Sequence, residues 1–503
     1  ECWGSDWSGQ ATAPEGSFSM VAAGAVHSCG VRDSGAVVCW GNRGRLADPP
    51  AGSFSAVSSA GRRSCALRAD SALACWTMAP VVAAPHGVHR YRPVGQPDPT
   101  RCRPYGVADD TTAGFPLPNR ATGTGTLRVA VLFVDFPDAA ASHTTQQEAE
   151  LALPFAEERL ESSSYGKLDI EFTALHEWLR AEHGYEHYLG HDARGRGAFA
   201  YLINEEAIRL ADPGFDFTGH DVAMIVMPSS HFGGGNATGR VDTQEGSLDT
   251  ARINAREERR SPFEWGRTAL HELGHNLGLL DMNPYDASRH ELPATPAGKK
   301  WVTSRFGIMG LTFYFLADDE DPRLARVASY ADGRSGTDYS DWALAREMLA
   351  WSRWQLGWLD DSQIRCVLAP LTTVSLSAVA VASAGSGVAM AAVPLSDTEV
   401  IVIESRRAIG YDTRVESRSW GTLTSPALLT EGVLVYTVDA SVESGQLPVK
   451  VAGDSGNGQV DDYPILTTGQ SVTVHGYTIA VVSDDGHAHT VTITKVENQQ
   501  AGD

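Results

Sequence analysis

In the middle of the chain, apolar positions alternate between strand-like and helix-like spacing. Residues 127–136 (LRVAVLFVDF) form a near-continuous apolar run with β-branched members, which is typical of a strand buried on both faces. Residues 167–175 and 220–228 predict two more strands, and the amphipathic segments 145–161 and 196–210 predict helices between them. Strands that alternate with helices predict a mixed α/β half-domain.

Residues 366–503 carry a different pattern. Short apolar strands such as EVIVIESRR and GVLVYTVDA are separated by Gly, Asp and Ser, which predicts an antiparallel β-sandwich. Modules of this kind support a neighbouring catalytic domain or bind carbohydrate or protein, and the pattern leaves both roles open. Just upstream, residues 341–358 predict a core helix with Ser340 at its N-cap.

Residues 1–80 contain an internal repeat. A shift of 36 residues aligns Phe18 with Phe54, Cys29 with Cys65, Cys39 with Cys75 and Trp40 with Trp76. A Gly-rich period of this length with short strands and tight turns predicts a β-propeller or a β-solenoid. The pattern resembles the repeats of regulator-of-chromosome-condensation-like β-propellers in their secreted, cysteine-bearing form, although two repeats and a stub are too few to close a ring. Such repeats imply an extracellular binding partner, and a passive spacer is the alternative.

The spacing of the cysteines predicts disulfides. Two pairs each flank a short segment centred on a turn, so their members are expected at cross-strand positions that a disulfide can span. Free buried thiols are the alternative. Paired cysteines indicate an oxidising compartment and hence a secreted protein. The seven cysteines are assigned as Cys29 with Cys39, Cys65 with Cys75, and Cys102 with Cys366 as a third candidate bridge, with Cys2 left over.

The composition narrows the classes of function. The chain has 503 residues, for which about three domains is the usual expectation. A formal charge of −22 argues against nucleic-acid binding. The sequence has no run of about 18 or more apolar residues, so it predicts no membrane span. The chain starts at Glu1 without a signal peptide, so we interpret it as a mature product or an excised fragment. Prolines throughout residues 81–125 predict an extended linker, or a strap over the next domain if Cys102 is bridged.

The sequence HELGHNLGLLD, at residues 271–281, carries the candidate chemistry. His271 and His275 are four apart, a little over one helical turn, so both imidazoles leave one face of a helix and can share a metal ion. Glu272 lies at the edge of that face, within reach of a metal-bound water. Gly278 can end the helix in a left-handed turn that returns Asp281 as a third ligand. Three protein ligands with an open fourth position describe a catalytic zinc site.

Two flanking features agree with this site. Ser261 as N-cap, Pro262 at the first helical position and Glu264 three residues after the cap form a capping box before the helix. Downstream, the segment RFGIMG places Met309 in a tight turn. A methionine turn after an extended HExxHxxGxx(H/D) motif marks the metzincin class, in which the methionine forms an apolar floor beneath the metal.

From about residue 100 to its end, the chain resembles secreted bacterial metalloproteases of the immune-inhibitor-A type. The resemblance rests on HELGHNLGLLDMNPYD, FGIMG, WSRWQLGWLDD and EVIVIESRRAIGYD…GVLVYTVD. It implies a zinc endopeptidase with a metzincin-like catalytic domain, often stabilised by calcium. By position, His271, His275 and Asp281 match the zinc ligands, and Glu272 matches the general base.

Three further features leave alternatives open. Leu311 stands where some metzincins have a metal-binding tyrosine, and we do not assign that role to the nearby Tyr314. The Gly-rich loop 229–239, which contains His231, predicts either a cleft rim that pairs with an extended substrate or a flexible surface loop. Two acidic clusters are candidates for calcium binding or plain solvated loops. They are residues 318–321, and Asp454 with Asp461 and Asp462.

Together these patterns predict a multidomain secreted protein. Its parts are propeller-type β repeats at 1–80, a Pro-rich linker at 81–125, an α/β (α+β) metzincin-like zinc protease domain at 126–365 and an all-β sandwich at 366–503. The predicted function is that of a zinc-dependent endopeptidase, which hydrolyses a protein or peptide substrate through a zinc-bound water activated by Glu272. The alternative is a secreted binding protein or adhesin that uses its β modules and carries an inactive protease-like domain.

Overall fold

The computed structural model divides the chain into two compact units, Glu1–Tyr91 and Arg92–Asp503. The described residues are 12–23, 27–41, 49, 52–60, 63–68, 72–77, 98–106, 111–118, 120–188, 200–229, 234–236, 239–256, 262–282, 306–310, 343–344, 347–382, 387–412, 415–417, 421–423, 431–453 and 465–496. Among them, the fold is mixed and rich in sheet, with helices confined to the second unit. No described helix is both long and apolar enough to cross a membrane.

The first unit contains two copies of a three-stranded antiparallel sheet. The strands are β1 (Phe18–Ala23), β2 (His27–Arg32), β3 (Val37–Gly41), β4 (Phe54–Ala60), β5 (Arg63–Arg68) and β6 (Leu73–Thr77). Cys29 lies opposite Cys39, and Cys65 lies opposite Cys75, at the same position of each ladder. The predicted repeat is therefore a structural repeat. Cys29 and Cys39 form the predicted disulfide, with a Cα–Cα distance of 4.0 Å, whereas Cys2 lies outside the described residues.

The second unit begins with a sheet whose strand order is β10-β12-β9-β7-β8, with β11 also paired to β12. The strands are β7 (Gly125–Asp135), β8 (Leu168–Arg180), β9 (Val222–Ser229), β10 (Gly234–Asn236), β11 (Arg240–Asp242) and β12 (Ser247–Arg256). The helices are α1 (Thr145–Ser163), α2 (Tyr185–Tyr188), α3 (Ala200–Ala211) and α4 (Pro262–Asn276). The long strands β7, β8, β9 and β12 run parallel, while β10 and β11 run antiparallel to β12.

Strand β7 is buried on both faces, as its continuous apolar run predicts. Val129 and Val131 belong to a core with α1 and α4, whereas Ala130 and Leu132 belong to a second core with α3. Successive side chains of a strand point to opposite faces, so a strand between two helical layers needs apolar residues at every position. Helix α1 begins at the capping box formed by Thr144 and Gln147.

Beyond α4 the chain forms α5 and then a largely antiparallel β region. Two sheets, β14-β16-β17-β20-β21 and β15-β25-β24-β23, share an apolar core, as predicted for a sandwich. The elements are β13 (Ala343–Leu344), α5 (Ala350–Gln355), β14 (Ile364–Cys366), β15 (Leu371–Ser377), β16 (Met390–Pro394), β17 (Glu399–Arg406), β18 (Val415–Ser417), β19 (Gly421–Leu423), β20 (Gly432–Asp439), β21 (Val449–Val451), β22 (Ile465–Leu466), β23 (Ser471–Val474), β24 (Tyr477–Asp484) and β25 (Ala488–Lys495).

The helix predicted at 341–358 is wrong over much of its length. Ala343–Leu344 forms a short strand paired with β18, and α5 covers only Ala350–Gln355. The backbone of Leu349 is extended, with ψ at 143°, so the helix cannot continue upstream through it. Ser340, its predicted N-cap, lies outside the described residues.

The described part of the predicted linker lies against the second unit as a strap. The Phe115 ring contacts Trp351 and Trp354 edge-on, and Trp351 Nε1 donates to the Ala113 carbonyl at 2.8 Å. Cys102 and Cys366 form the predicted third disulfide, with a Cα–Cα distance of 5.7 Å. Of the two predictions for this segment, an extended linker or a strap, the strap is correct for the described residues between 98 and 118.

Candidate metal centre

Helix α4 carries the HELGH motif and ends where the sequence predicts. Gly278 has φ at +99°, a left-handed conformation that favours glycine. The Leu279 N–H donates back to the Gly274 carbonyl at 3.0 Å, and the Gly278 N–H donates to the His275 carbonyl at 2.9 Å. These bonds satisfy carbonyls of the last helical turn and reverse the chain, so that Asp281 returns towards the helix.

The turn brings together the three predicted ligands. The Asp281 carboxylate lies between the two imidazoles, with Oδ1 at 3.0 Å from His271 Nε2 and Oδ2 at 3.4 Å from His275 Nε2. The two rings are nearly perpendicular, at 89°, with centroids 4.8 Å apart. One donor atom from each residue lies within 4.8 Å of the others. Among the described residues, this is the group of three or more His, Cys, Asp or Glu side chains that could hold a metal ion.

Hydrogen bonds to backbone carbonyls determine which nitrogen of each imidazole carries the proton and which can bind a metal ion. His271 Nδ1 lies 3.0 Å from the Ile308 carbonyl, and His275 Nδ1 lies 2.8 Å from the Leu279 carbonyl. A carbonyl oxygen only accepts, so each Nδ1 carries the proton and a neutral ring presents the lone pair of Nε2 to Asp281. Lone pairs from two imidazoles and a carboxylate then converge on one point. This donor set fits a divalent cation, and the carbonyls are the second-layer acceptors that metal-ligating histidines usually have.

Without a cation, a proton must bind between these groups, because lone pairs that face one another repel. Burial lowers the pKa of the His275 imidazole, but the Asp281 carboxylate outweighs burial and raises that pKa to about 9. Burial alone would raise the pKa of Asp281, yet the two histidines hold it well below its ordinary value. The cluster therefore demands positive charge, either as a proton shared with Asp281 or as a metal ion.

Glu272 is buried beside these ligands, with a relative exposure of 4 %. Burial raises its pKa, against the opposing charges of His271 and His275. Arg252 of β12 is also close enough for its charge to act on Glu272. A carboxylate whose pKa is moved towards neutrality is suited to accept and release a proton near pH 7.

The predicted methionine turn lies directly under the helix. The Gly310 N–H donates to the Gly307 carbonyl at 3.1 Å, which closes the turn around Met309. A Cβ placed on Gly274 would lie 2.5 Å from Met309 Sδ, so the thioether contacts the helix backbone between the two histidines. The Met282 N–H donates to the Met309 carbonyl at 3.0 Å, which joins the turn to the residue after the third ligand.

The structure adds contacts that the sequence did not predict. The carbonyls of Ile308 and Leu279 hold the rings, and the Asp281 N–H donates to Ser444 Oγ at 3.1 Å. Every residue has a carbonyl and serine is common, so the sequence does not identify these contacts. Only the turn predicted around Met309 indicated that the Ile308 carbonyl lies near the site. Several candidates lie outside the described residues: His231, Ser261, Leu311, Tyr314, the acidic cluster at 318–321, and Asp454, Asp461 and Asp462.

Comparison with known proteins does not place the chain in a family. No protein-family model matches the chain, and no curated protein matches its sequence.

Proposed function

We propose that this protein is a zinc-dependent endopeptidase. The observation that carries the proposal is the convergence of His271 Nε2, His275 Nε2 and one Asp281 carboxylate beside a buried Glu272. Two imidazoles and one carboxylate are a usual protein ligand set for catalytic zinc, which keeps a further coordination position for water or substrate.

In this proposal His271, His275 and Asp281 hold the metal. A bound zinc ion supplies a Lewis acid that lowers the pKa of water and polarises a carbonyl group. Glu272 accepts the proton of the attacking water at its carboxylate and passes it to the leaving amine. Its burial supports this role, since a carboxylate of ordinary pKa would hold a transferred proton too weakly at neutral pH.

The sheet supports a peptide as the substrate. Strand β10 is at the edge of the sheet among the described strands, antiparallel to β12 and next to α4. An extended peptide could pair with such an edge and pass across the metal ligands on α4. Four parallel strands, an antiparallel edge strand and a methionine turn also support the metzincin-like assignment.

We also propose that the protein works outside the cell. The disulfides Cys29–Cys39 and Cys102–Cys366 support this, because such bonds persist in oxidising compartments. The two sheet repeats of the first unit, with cysteines at matching positions, support a propeller-type module that binds an extracellular partner.

The test is a Glu272→Gln variant assayed on a denatured protein substrate. We expect the variant to keep one equivalent of zinc while kcat falls by about 10²–10⁴, since glutamine fills the same space without accepting a proton. Glu171→Gln, at an exposed position of β8, is the matched control and should cleave like the parent. Undiminished cleavage by Glu272→Gln rules out the proposed base. A parent protein that binds zinc through His271 but cleaves nothing favours the binding-protein alternative.

A further inference from the structure

A buried cluster of charges surrounds the end of strand β17. Arg406 and Glu404 are fully buried, as is Asp412 just beyond the strand. The Arg406 guanidinium donates twice to Asp412, from Nε at 2.7 Å and from Nη2 at 2.6 Å. It also donates from Nη1 to Glu404 Oε1 at 3.2 Å. Two carboxylates thus hold one arginine in a fixed orientation, the paired state that a buried charge needs.

The same guanidinium reaches the methionine turn. Arg406 Nη1 donates to the Phe306 carbonyl at 3.0 Å, and Phe306 begins the described segment 306–310 that contains Met309. Two residues later, the Ile308 carbonyl accepts from His271 Nδ1 at 3.0 Å. A short and wholly buried path therefore runs from the paired charges on β17 to the first metal ligand.

We propose that Arg406 is a positioning residue for the metal centre: it holds the turn at 306–310 so that the Ile308 carbonyl orients His271 and Met309 lies under the helix. The inference rests on the proposed metal site. Arginine suits the task because its planar fork bonds two carboxylates and a carbonyl at once. Lysine has the charge but one nitrogen, so it cannot hold Asp412 through two atoms and still bond Phe306 in the same geometry.

A second contact from the C-terminal β region acts on the third ligand. Ser444, in the loop after β20, accepts from the Asp281 N–H at 3.1 Å. Both supports come from residues beyond 366, the region that the sequence predicts as a separate all-β sandwich. Outer supports of this kind fix ligand orientation, and their removal typically lowers metal affinity about 10–100-fold.

The experiment compares Arg406→Lys with Arg353→Lys in the full chain. Arg353 is the matched control because it is equally buried and belongs to the same network through Glu347, but its described bonds go to Glu347, Tyr165 and the Val379 carbonyl, at 2.8 Å, and not to the turn at 306–310. Zinc affinity is measured by competition with a chromophoric chelator, and the visible absorption of the Co²⁺-substituted protein reports ligand geometry. Thermal unfolding of the metal-free proteins measures the purely structural loss.

We expect Arg406→Lys to bind zinc about 10–100-fold more weakly and to shift the cobalt bands. Arg353→Lys should lose comparable stability yet keep the parent's zinc affinity and cobalt spectrum. Equal zinc affinity for all three proteins, or losses that simply follow the unfolding temperature in both variants, would overturn the inference. If Arg406→Lys does not fold, Asp412→Asn takes its place, with a smaller loss in the same direction; unchanged affinity in that variant also overturns it.

The controls separate this inference from the proposed function. A parent protein that binds no zinc, or whose zinc affinity is the same after His271→Ala, refutes the metal site itself. A parent that binds zinc through His271, with Arg406→Lys indistinguishable from it, refutes the role of Arg406 alone.

Discussion

The cluster of His271, His275 and Asp281 has two alternative states: one with a proton and one with a metal ion bound at His275 Nε2. Each imidazole donates a hydrogen bond from its Nδ1–H to a backbone carbonyl, so Nε2 is the atom for which a second proton and a metal ion compete. The Asp281 carboxylate favours both competitors, since it raises the pKa of His275 to about 9. A metal ion that binds at neutral pH therefore displaces a proton from His275, and acidification weakens metal binding.

Gly274 is the residue at which the helix and the methionine turn meet. A Cβ at this position would lie 2.5 Å from Met309 Sδ. In Gly274→Ala, the gain in helix propensity is about 1 kcal/mol, whereas overpacking a buried contact costs about 1–3 kcal/mol. We therefore expect a net loss of stability of about 1 kcal/mol, measured as the free energy of unfolding in urea, and a weaker affinity for zinc.

The control for Gly274→Ala is a double-mutant cycle with Met309→Ala. Removal of the thioether leaves room for the added methyl group, so Gly274→Ala should become neutral or stabilising in the Met309→Ala background. If the cost of Gly274→Ala is the same with and without the Met309 side chain, the clash is not its cause.

The convergence of His271, His275 and Asp281 was predictable because its geometry is local. Spacing puts His271 and His275 on one helical face, and Gly278 ends the helix at a place that returns Asp281. From the sequence alone, Gly274 is recognisable only as a weak helix former. Its role depends on Met309, which is 35 positions away in the chain, and no spacing rule connects the two.

At the scale of elements, one buried histidine of β25 contacts both sheets of the C-terminal region. His489 Nδ1 lies 2.8 Å from Ser405 Oγ on β17, and Nε2 lies 3.4 Å from Asp484 Oδ2 on β24. A neutral ring with its proton on Nε2 accepts from the serine at Nδ1, and its Nε2 side faces the Asp484 carboxylate. The contact therefore connects the two sheets of the C-terminal region.

The pH dependence of this contact has a definite sign. Burial, followed by the nearby Arg407, lowers the pKa of His489 despite the opposing charge of Asp484. The unfolded chain takes up the proton near pH 6.5 and the folded protein only at lower pH, so the stabilisation is complete above about 6.5 and is lost as the pH falls. Relative to His489→Gln, the parent's advantage in unfolding free energy should shrink between pH 7 and 5. An advantage that stays constant contradicts this assignment.

Elements with their own signals were predicted more successfully than elements made by tertiary contacts. The apolar run from 127 to 136 predicts β7, and the amphipathic pattern of residues 145–161 predicts most of α1, because each signal lies within the element itself. The helix prediction failed for the residues before α5 because apolar residues such as Leu344 and Leu349 suit a helix or another core segment equally well. There the pairing of β13 with β18 decides the backbone, and that partner is about 70 residues away.

At the scale of the whole molecule, one core crosses the predicted boundary at 366. Leu273 of α4, Trp351 of α5 and Tyr436 of β20 belong to the same buried cluster. The C-terminal region also supplies Arg406 to the methionine turn and Ser444 to Asp281. A pattern of strands indicates a sandwich but does not show what its outer face covers, which is why the sequence alone left open whether this region supports the neighbouring domain.

Two deletions distinguish an integral region from an independent one. Removal of residues 1–91 takes away a unit with its own core, so the zinc affinity and the unfolding midpoint of the remaining chain should not change.

Removal of residues 370–503 keeps every ligand and the Cys102–Cys366 bridge but exposes α5 and the face that β17 and β20 cover. We expect that variant to lose cooperative unfolding and tight zinc binding, as followed by urea titration and calorimetry. A cooperative transition with the parent's zinc affinity would mean that residues up to 369 fold and bind metal without the β region.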